Sequence, residues 1–125
     1  MPDQLTTARD QIAEMCGYKC DRSAGMWFTP SIAGVRMVAC YLPYNPIPAS
    51  LDFVSRVWPD RWEWWRFDGT WSSSITHESI VLRTIDTNDE LANRMSLLRG
   101  VLRWLRDNDR PAFDAACEKI RKEIP

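Results

Sequence analysis

From Thr87 to Leu105 the residues Leu91, Met95, Leu98, Leu102 and Leu105 recur at alternating steps of four and three, the spacing of one face of an α-helix. Thr87 and Glu90 have the spacing of a capping box at its start. Leu97, Val101 and Trp104 widen the apolar face beyond a narrow stripe, so the helix must press on a sheet or on two other helices. Whatever else folds has to cover it. Asp107-Asn108-Asp109 breaks the pattern, Pro111 suits a first helical turn, and Phe113, Ala116, Cys117 and Ile120 predict a final helix.

Earlier in the chain, Leu5, Ala8, Ile12, Met15 and Cys16 predict a helix over 4–16, with Asp3 or Thr6 as cap and Gly17 at its left-handed end. Ser50 caps a shorter helix with apolar positions Leu51, Val54, Val57 and Trp58, which Pro59 ends. Between them, residues 19–33 read as loop or short edge strand around Trp27 and Phe28. Gly34 to Leu42 alternates Val35, Met37, Ala39 and Tyr41 with Val38, Cys40 and Leu42, predicting a strand covered on both sides. Pro43, Pro46 and Pro48 then hold the chain extended.

The stretch Arg61 to Phe67 fits a bulged strand or a continued helix. A strand is preferred, because Asp68-Gly69 is a hairpin turn and Trp71 onward is rich in Ser, Thr and Ile. Residues 79–85 predict another strand. The expected class is α+β: a small antiparallel sheet packed between or against three to four helices, with a helical C-terminal part, in one domain over 1–125. At 45% hydrophobic and 26% charged residues, a chain of this length buries a core without disulfides or metals as staples.

The most unusual feature is the set of seven tryptophans, at 27, 58, 62, 64, 65, 71 and 104. Large aromatics dominate core burial, yet adjacent Trp64 and Trp65 cannot both face inward on a strand. A partly exposed group of indoles makes a binding hot spot, and flanking Arg61 and Arg66 add cation–π capacity. Arg accounts for 13 of the 16 basic residues, a side chain suited to contact surfaces. Arg94, Arg99, Arg103 and Arg106 decorate the long helix. They read either as contacts for phosphates or an acidic partner surface, or as a solvated face suited to the helix dipole. The candidate partner-binding residues are therefore Trp62, Trp64, Trp65, Arg61, Arg66, Arg99 and Arg103.

Nothing in the sequence points to catalysis. His77, the single histidine, sits in a polar Thr-His-Glu-Ser turn, Ser72-Ser73-Ser74 lacks nucleophile-elbow glycines, and no Gly-rich phosphate loop or His-Glu-x-x-His is present. Cys16 and Cys20 have a spacing used by zinc sites, with Cys40 and Cys117 to complete a set of four. All but Cys20 occupy ordinary places for a small buried thiol. No metal, cofactor or enzymatic activity is expected. A net charge of -1 supplies no global field toward nucleic acid or an acidic membrane. No 18-residue apolar run or signal-peptide stretch occurs, so the chain is expected to stay in the cytoplasm with its cysteines as thiols.

The segment order resembles small bacteriophage-encoded proteins of the phage ABA sandwich domain type. The likeness lies in Ile12-Ala13-Glu14-Met15-Cys16-Gly17-Tyr18, the aromatic segment from Trp27 to Pro30, the extended Leu42-Pro43-Tyr44-Asn45, the helix from Leu51, and the helix from Thr87 through Leu98 with Arg94. It covers about half of the chain. It departs from the family where Ile47-Pro48-Ala49-Ser50-Leu51-Asp52 replaces an Asn-Asp-Leu entry, and in an extension over 107–125. The resemblance implies a sheet between helical layers and a phage or prophage origin, in a bacterial host's cytoplasm, and carries no catalytic residues. The function expected is that of a small accessory protein that binds a host protein, as an inhibitor of a defence complex of the CRISPR type. A toxin-neutralising immunity protein is the alternative, and a nucleic-acid-binding module is the lesser one.

Overall fold

The computed structural model of the chain describes residues 3–67, 70–73, 81–83 and 89–124. Helix α1 runs Gln4–Met15, and the Thr6 amide donates to its cap, Asp3 Oδ1, at 2.7 Å. It stops because Gly17 turns at φ +96°, where a Cβ would also stand 3.2 Å from Pro30 Cβ. Strands β1 (Lys19–Asp21), β2 (Met26–Phe28) and β3 (Val38–Tyr41) form an antiparallel sheet in that order. The loop or edge strand expected over 19–33 is thus a hairpin, with Lys19 opposite Phe28 and Asp21 opposite Met26. Asp21 shapes its turn by accepting from Ser23 Oγ and the Ala24 amide.

The strand expected over 34–42 is shorter and covered on one side only. Ala33 at φ +52° and Gly34 at φ +79° turn the chain tightly, with Ile32 and Val35 bridging across. Regular pairing begins at Val38 after a register shift opposite Trp27 and Phe28. Ala39 and Cys40 pack on the core, whereas Val35, Met37, Val38 and Tyr41 face solvent. One helical layer cannot cover both faces of a sheet. The proline-rich segment that follows is tied to α1: Asn45 Nδ2 donates to Asp10, and Arg9 Nε donates to the Ile47 carbonyl at 2.8 Å.

Helix α2 (Leu51–Val57) is capped by Ser50, whose Oγ accepts from the Phe53 amide. It buries Phe53, Val54 and Val57 and leaves Leu51 exposed. In a helix of under two turns the single large ring sets the phase, which corrects the expected apolar face. A second antiparallel sheet contains β4 (Trp64–Phe67), β5 (Thr70–Ser73) and β6 (Val81–Arg83), in that order. Phe67 pairs with Thr70, and Asp68 and Gly69 between them lie outside the described residues, as does His77. Of the strand expected over 79–85, residues 81–83 are described, with Val81 opposite Ser72. The strands therefore divide into two sheets.

Helix α3 (Glu90–Asn108) is the expected core helix, but its cap is Asp89, which accepts from the Ala92 amide at 2.9 Å. The capping box on Thr87 is corrected: Thr87 lies outside the described residues, Asp outranks Thr as a cap, and Glu90 pairs with Arg94 at 2.8 Å. Asp109 ends α3 and caps α4 (Arg110–Glu123), with Pro111 in the first turn. The core unites Ile12 of α1, Trp27, Phe53 and Val57 with Met95, Leu98, Leu102 and Leu105 of α3 and Phe113 and Ile120 of α4. None of the described helices is long and apolar enough to cross a membrane.

Candidate interaction surfaces

Tryptophan placement follows from how the chain leaves α2. Arg61, at φ +75°, adopts the left-handed conformation and drops Trp62 into the core, 6% exposed. Trp62 stacks on Trp64 at a centroid separation of 6.0 Å and meets Trp104 of α3 edge-on at 5.3 Å. Trp58 packs edge-on against Trp64 at 5.8 Å, and its Nε1 donates to the Trp62 carbonyl at 2.8 Å. Trp27 and Trp71 are buried as well. The expected bulged strand over 61–67 begins only at Trp64, and Trp62 precedes it as a core residue.

Strand alternation then decides the two neighbours. Trp64 is half-buried and Trp65 points outward at 45% exposure; Arg66 is exposed too, but the same alternation puts it on the opposite face from Trp65. Arg61 is not free for a partner: its Nη2 donates to Asp109 Oδ2 at 2.7 Å. That ion pair, first, and the Ala112 amide hold the Asp109 carboxyl below the usual aspartate range.

Arg99 and Arg103 lie elsewhere. Both donate to one acceptor, Gln11 Oε1 on α1, at 3.2 and 2.5 Å, and along α3 they point well away from Trp104, which meets the indole cluster. Burial, with the Arg103 charge adding to it, lowers the Arg99 guanidinium from its ordinary value. Neither forms an ion pair among the described residues. The seven sequence-derived residues thus separate into a core ring (Trp62), a half-buried ring (Trp64), an internally paired Arg61, an exposed Trp65 and Arg66 on opposite faces of β4, and a basic pair over the α1–α3 seam.

Most of the exposed large apolar side chains among the described residues lie in one stretch that the sequence reading missed. Ile32 is 78% exposed, Met37 70% and Tyr44 73%, and Val35, Val38 and Tyr41 are exposed among them. All six fall within residues 32–44, on the turn before β3, on β3 and just after it. Isolated surface apolar residues are normal, whereas several close together along the chain make a candidate contact surface. The available signal was topological: three short strands backed by one helical layer leave an outer face bare.

The four cysteines are free thiols in two separate pairs. Cys20 and Cys40 flank Trp27 from neighbouring strands, whereas Cys16 meets Cys117. Among the described residues no cluster of three metal-ligating side chains forms. No protein-family model, curated protein or solved structure matches the chain, so the surfaces themselves are the guide to function.

Proposed function

We propose that this chain works without catalysis, by holding a partner protein against the apolar surface of β3 and its flanking turns. The observation that carries this reading is the exposure of Ile32, Val35, Met37, Val38, Tyr41 and Tyr44 on one short stretch. Burying several such side chains on association releases apolar surface from water, and aromatic and Met side chains are enriched at interface centres. Trp65 on β4 is a secondary contact of hot-spot type.

In its concrete form this is a small phage-type accessory protein acting on a host protein in the cytoplasm, as an inhibitor of a defence complex. The resemblance of its Cys-Gly-aromatic helix stop to phage sandwich domains supports that version. An immunity protein against a toxin is the alternative, separated by whether a toxin is encoded beside it.

The test is capture from host lysate with wild-type protein and with a Met37→Asp, Tyr41→Asp double variant. Wild type is expected to retain a stoichiometric partner that the variant loses at unchanged melting temperature. Absence of a stoichiometric partner, or capture indifferent to the variant, contradicts the reading. A salt-dependent mobility shift with single-stranded DNA, abolished by Trp65→Ala, would support a nucleic-acid role instead.

A further inference from the structure

The end of α1 meets the middle of α4, and two thiols meet there. Cys117 Sγ donates to the Met15 carbonyl, the residue next to Cys16, at 3.7 Å, and the two thiols are close enough to perturb each other's ionisation. Both residues line a cleft of about 690 Å³ whose walls include Arg36, Arg110, Asp114 and Arg121. Arg36 is fixed by donating to the Gly17 and Thr29 carbonyls at 2.9 and 3.0 Å, and Arg121 by donating to the Cys16 carbonyl at 3.2 Å. Asp114 pairs with Arg110 at 3.2 Å, leaving Arg36 and Arg121 without a carboxylate partner among the described residues. A cationic rim of this kind stabilises a thiolate.

The two thiols are not equivalent. The hydrogen bond from Cys16, joined by Arg121 and Arg110, draws Cys117 below the ordinary thiol range, while the same bond and burial hold Cys16 far above it. Arg121 and Arg110 favour ionisation of Cys117, so it is the sulfur that attacks once the proton it shares with the Met15 carbonyl is given up. Cys16 and Cys117 are 2% and 3% exposed, so only a water-sized oxidant reaches them from the cleft.

We propose that Cys16 and Cys117 form a two-electron oxidation site, at which hydrogen peroxide converts the dithiol to a disulfide joining α1 to α4. The Cys117 thiolate attacks one peroxide oxygen and the O–O bond breaks, giving a sulfenic acid and hydroxide, which takes up a proton to become water. The Cys16 sulfur then attacks Cys117 sulfur. The S–O bond breaks, and the departing hydroxide leaves as water with the Cys16 proton. Two thiols lose two electrons and two protons, and one peroxide becomes two waters. Cys20 and Cys40 provide an internal control. They sit on either side of the middle strand, about 9–10 Å apart at two inter-strand spacings, beyond the roughly 7 Å limit for bridging.

The test is peptide mapping and intact mass of the native full chain after graded peroxide. Wild type is expected to lose two hydrogens and yield a linked Cys16–Cys117 peptide, with Cys20 and Cys40 unlinked. Cys16→Ser, which keeps a donor beside Cys117 but has no sulfur, is expected to gain one oxygen at Cys117, and Cys117→Ala to leave Cys16 unoxidised. The oxidised protein is expected to unfold at a higher urea midpoint and to fall back on reduction, because the bridge restricts the unfolded chain. Free Cys16 and Cys117 in wild type treated until Cys20 is oxidised, oxygen on Cys16 in place of Cys117 in the variants, or a midpoint unmoved by oxidation would each overturn the proposal. The wild-type map needs no variant to fold.

Discussion

Asn93 is completely buried on α3, and neither atom of its amide has a hydrogen-bond partner among the described residues. An unsatisfied buried polar group costs roughly 1–3 kcal/mol. Asn93→Leu is therefore expected to raise stability by about 1 kcal/mol, read as a higher urea midpoint; a fall would show that the amide is bonded. Asp109 gives a prediction in pH. Its folded-state pKa is depressed, chiefly by Arg61, so its ion-pair stabilisation is present above the unfolded aspartate value of about 3.9 and vanishes as pH falls through the lower folded value. Asp109→Asn keeps a capping side chain and drops the charge. Its urea midpoint should lie below wild type at neutral pH and converge with it in acid; a gap that persists there would exclude the ion pair as its source. Neither effect was legible in the sequence. A row of letters shows Asn93 as the polar interruption of a helix and Asp109 as part of a break, and only packing reveals what each side chain faces.

Among the elements, the predicted helices were the most legible, because their apolar residues repeat over several turns and α4 announces itself with Asp109, Pro111, Phe113 and Ile120. The strands were less so. Three-residue strands such as β1 and β2 are too short to show a period, and the turn at Ala33 and Gly34 cut the expected 34–42 strand roughly in half. The indole segment shows why the seven candidate residues do not share one surface. Alternation correctly put one of Trp64 and Trp65 outside, but the left-handed Arg61 that sends Trp62 inward has no sequence signature, since residues other than glycine, asparagine and aspartate seldom adopt that conformation. The contrast is measurable: Trp62→Ala should cost about 3–5 kcal/mol, and Trp65→Ala within about 0.5 kcal/mol. Iodide quenching of indole fluorescence should fall markedly in Trp65→Ala; undiminished quenching would place the accessible ring elsewhere. Ser50→Ala should cost about 1 kcal/mol through the lost α2 cap, checked by urea titration.

Taken whole, the molecule divides its labours by layer. The helices supply an apolar interior, and the first sheet contributes Trp27 on one side and an uncovered apolar face on the other. On the proposed function, stability and recognition draw on different residues. Substitutions at Ile32, Met37 or Tyr44 are expected to leave the urea midpoint nearly unchanged while abolishing partner capture. Joint loss of both would show that the exposed face supports the fold. The predicted α+β class was legible because it depends on summed periodicities. The bare face was not, because it depends on how many layers a short chain has left to spend.

The packing of α1 chiefly on α3, with α4 closing on α3 and α2, governs the order of events during synthesis. Until α3 has emerged from the ribosome, the apolar side of α1 has no helical partner. Completion of the interior waits on that helix, and a product stalled before it would present a greasy seam to chaperones and proteases.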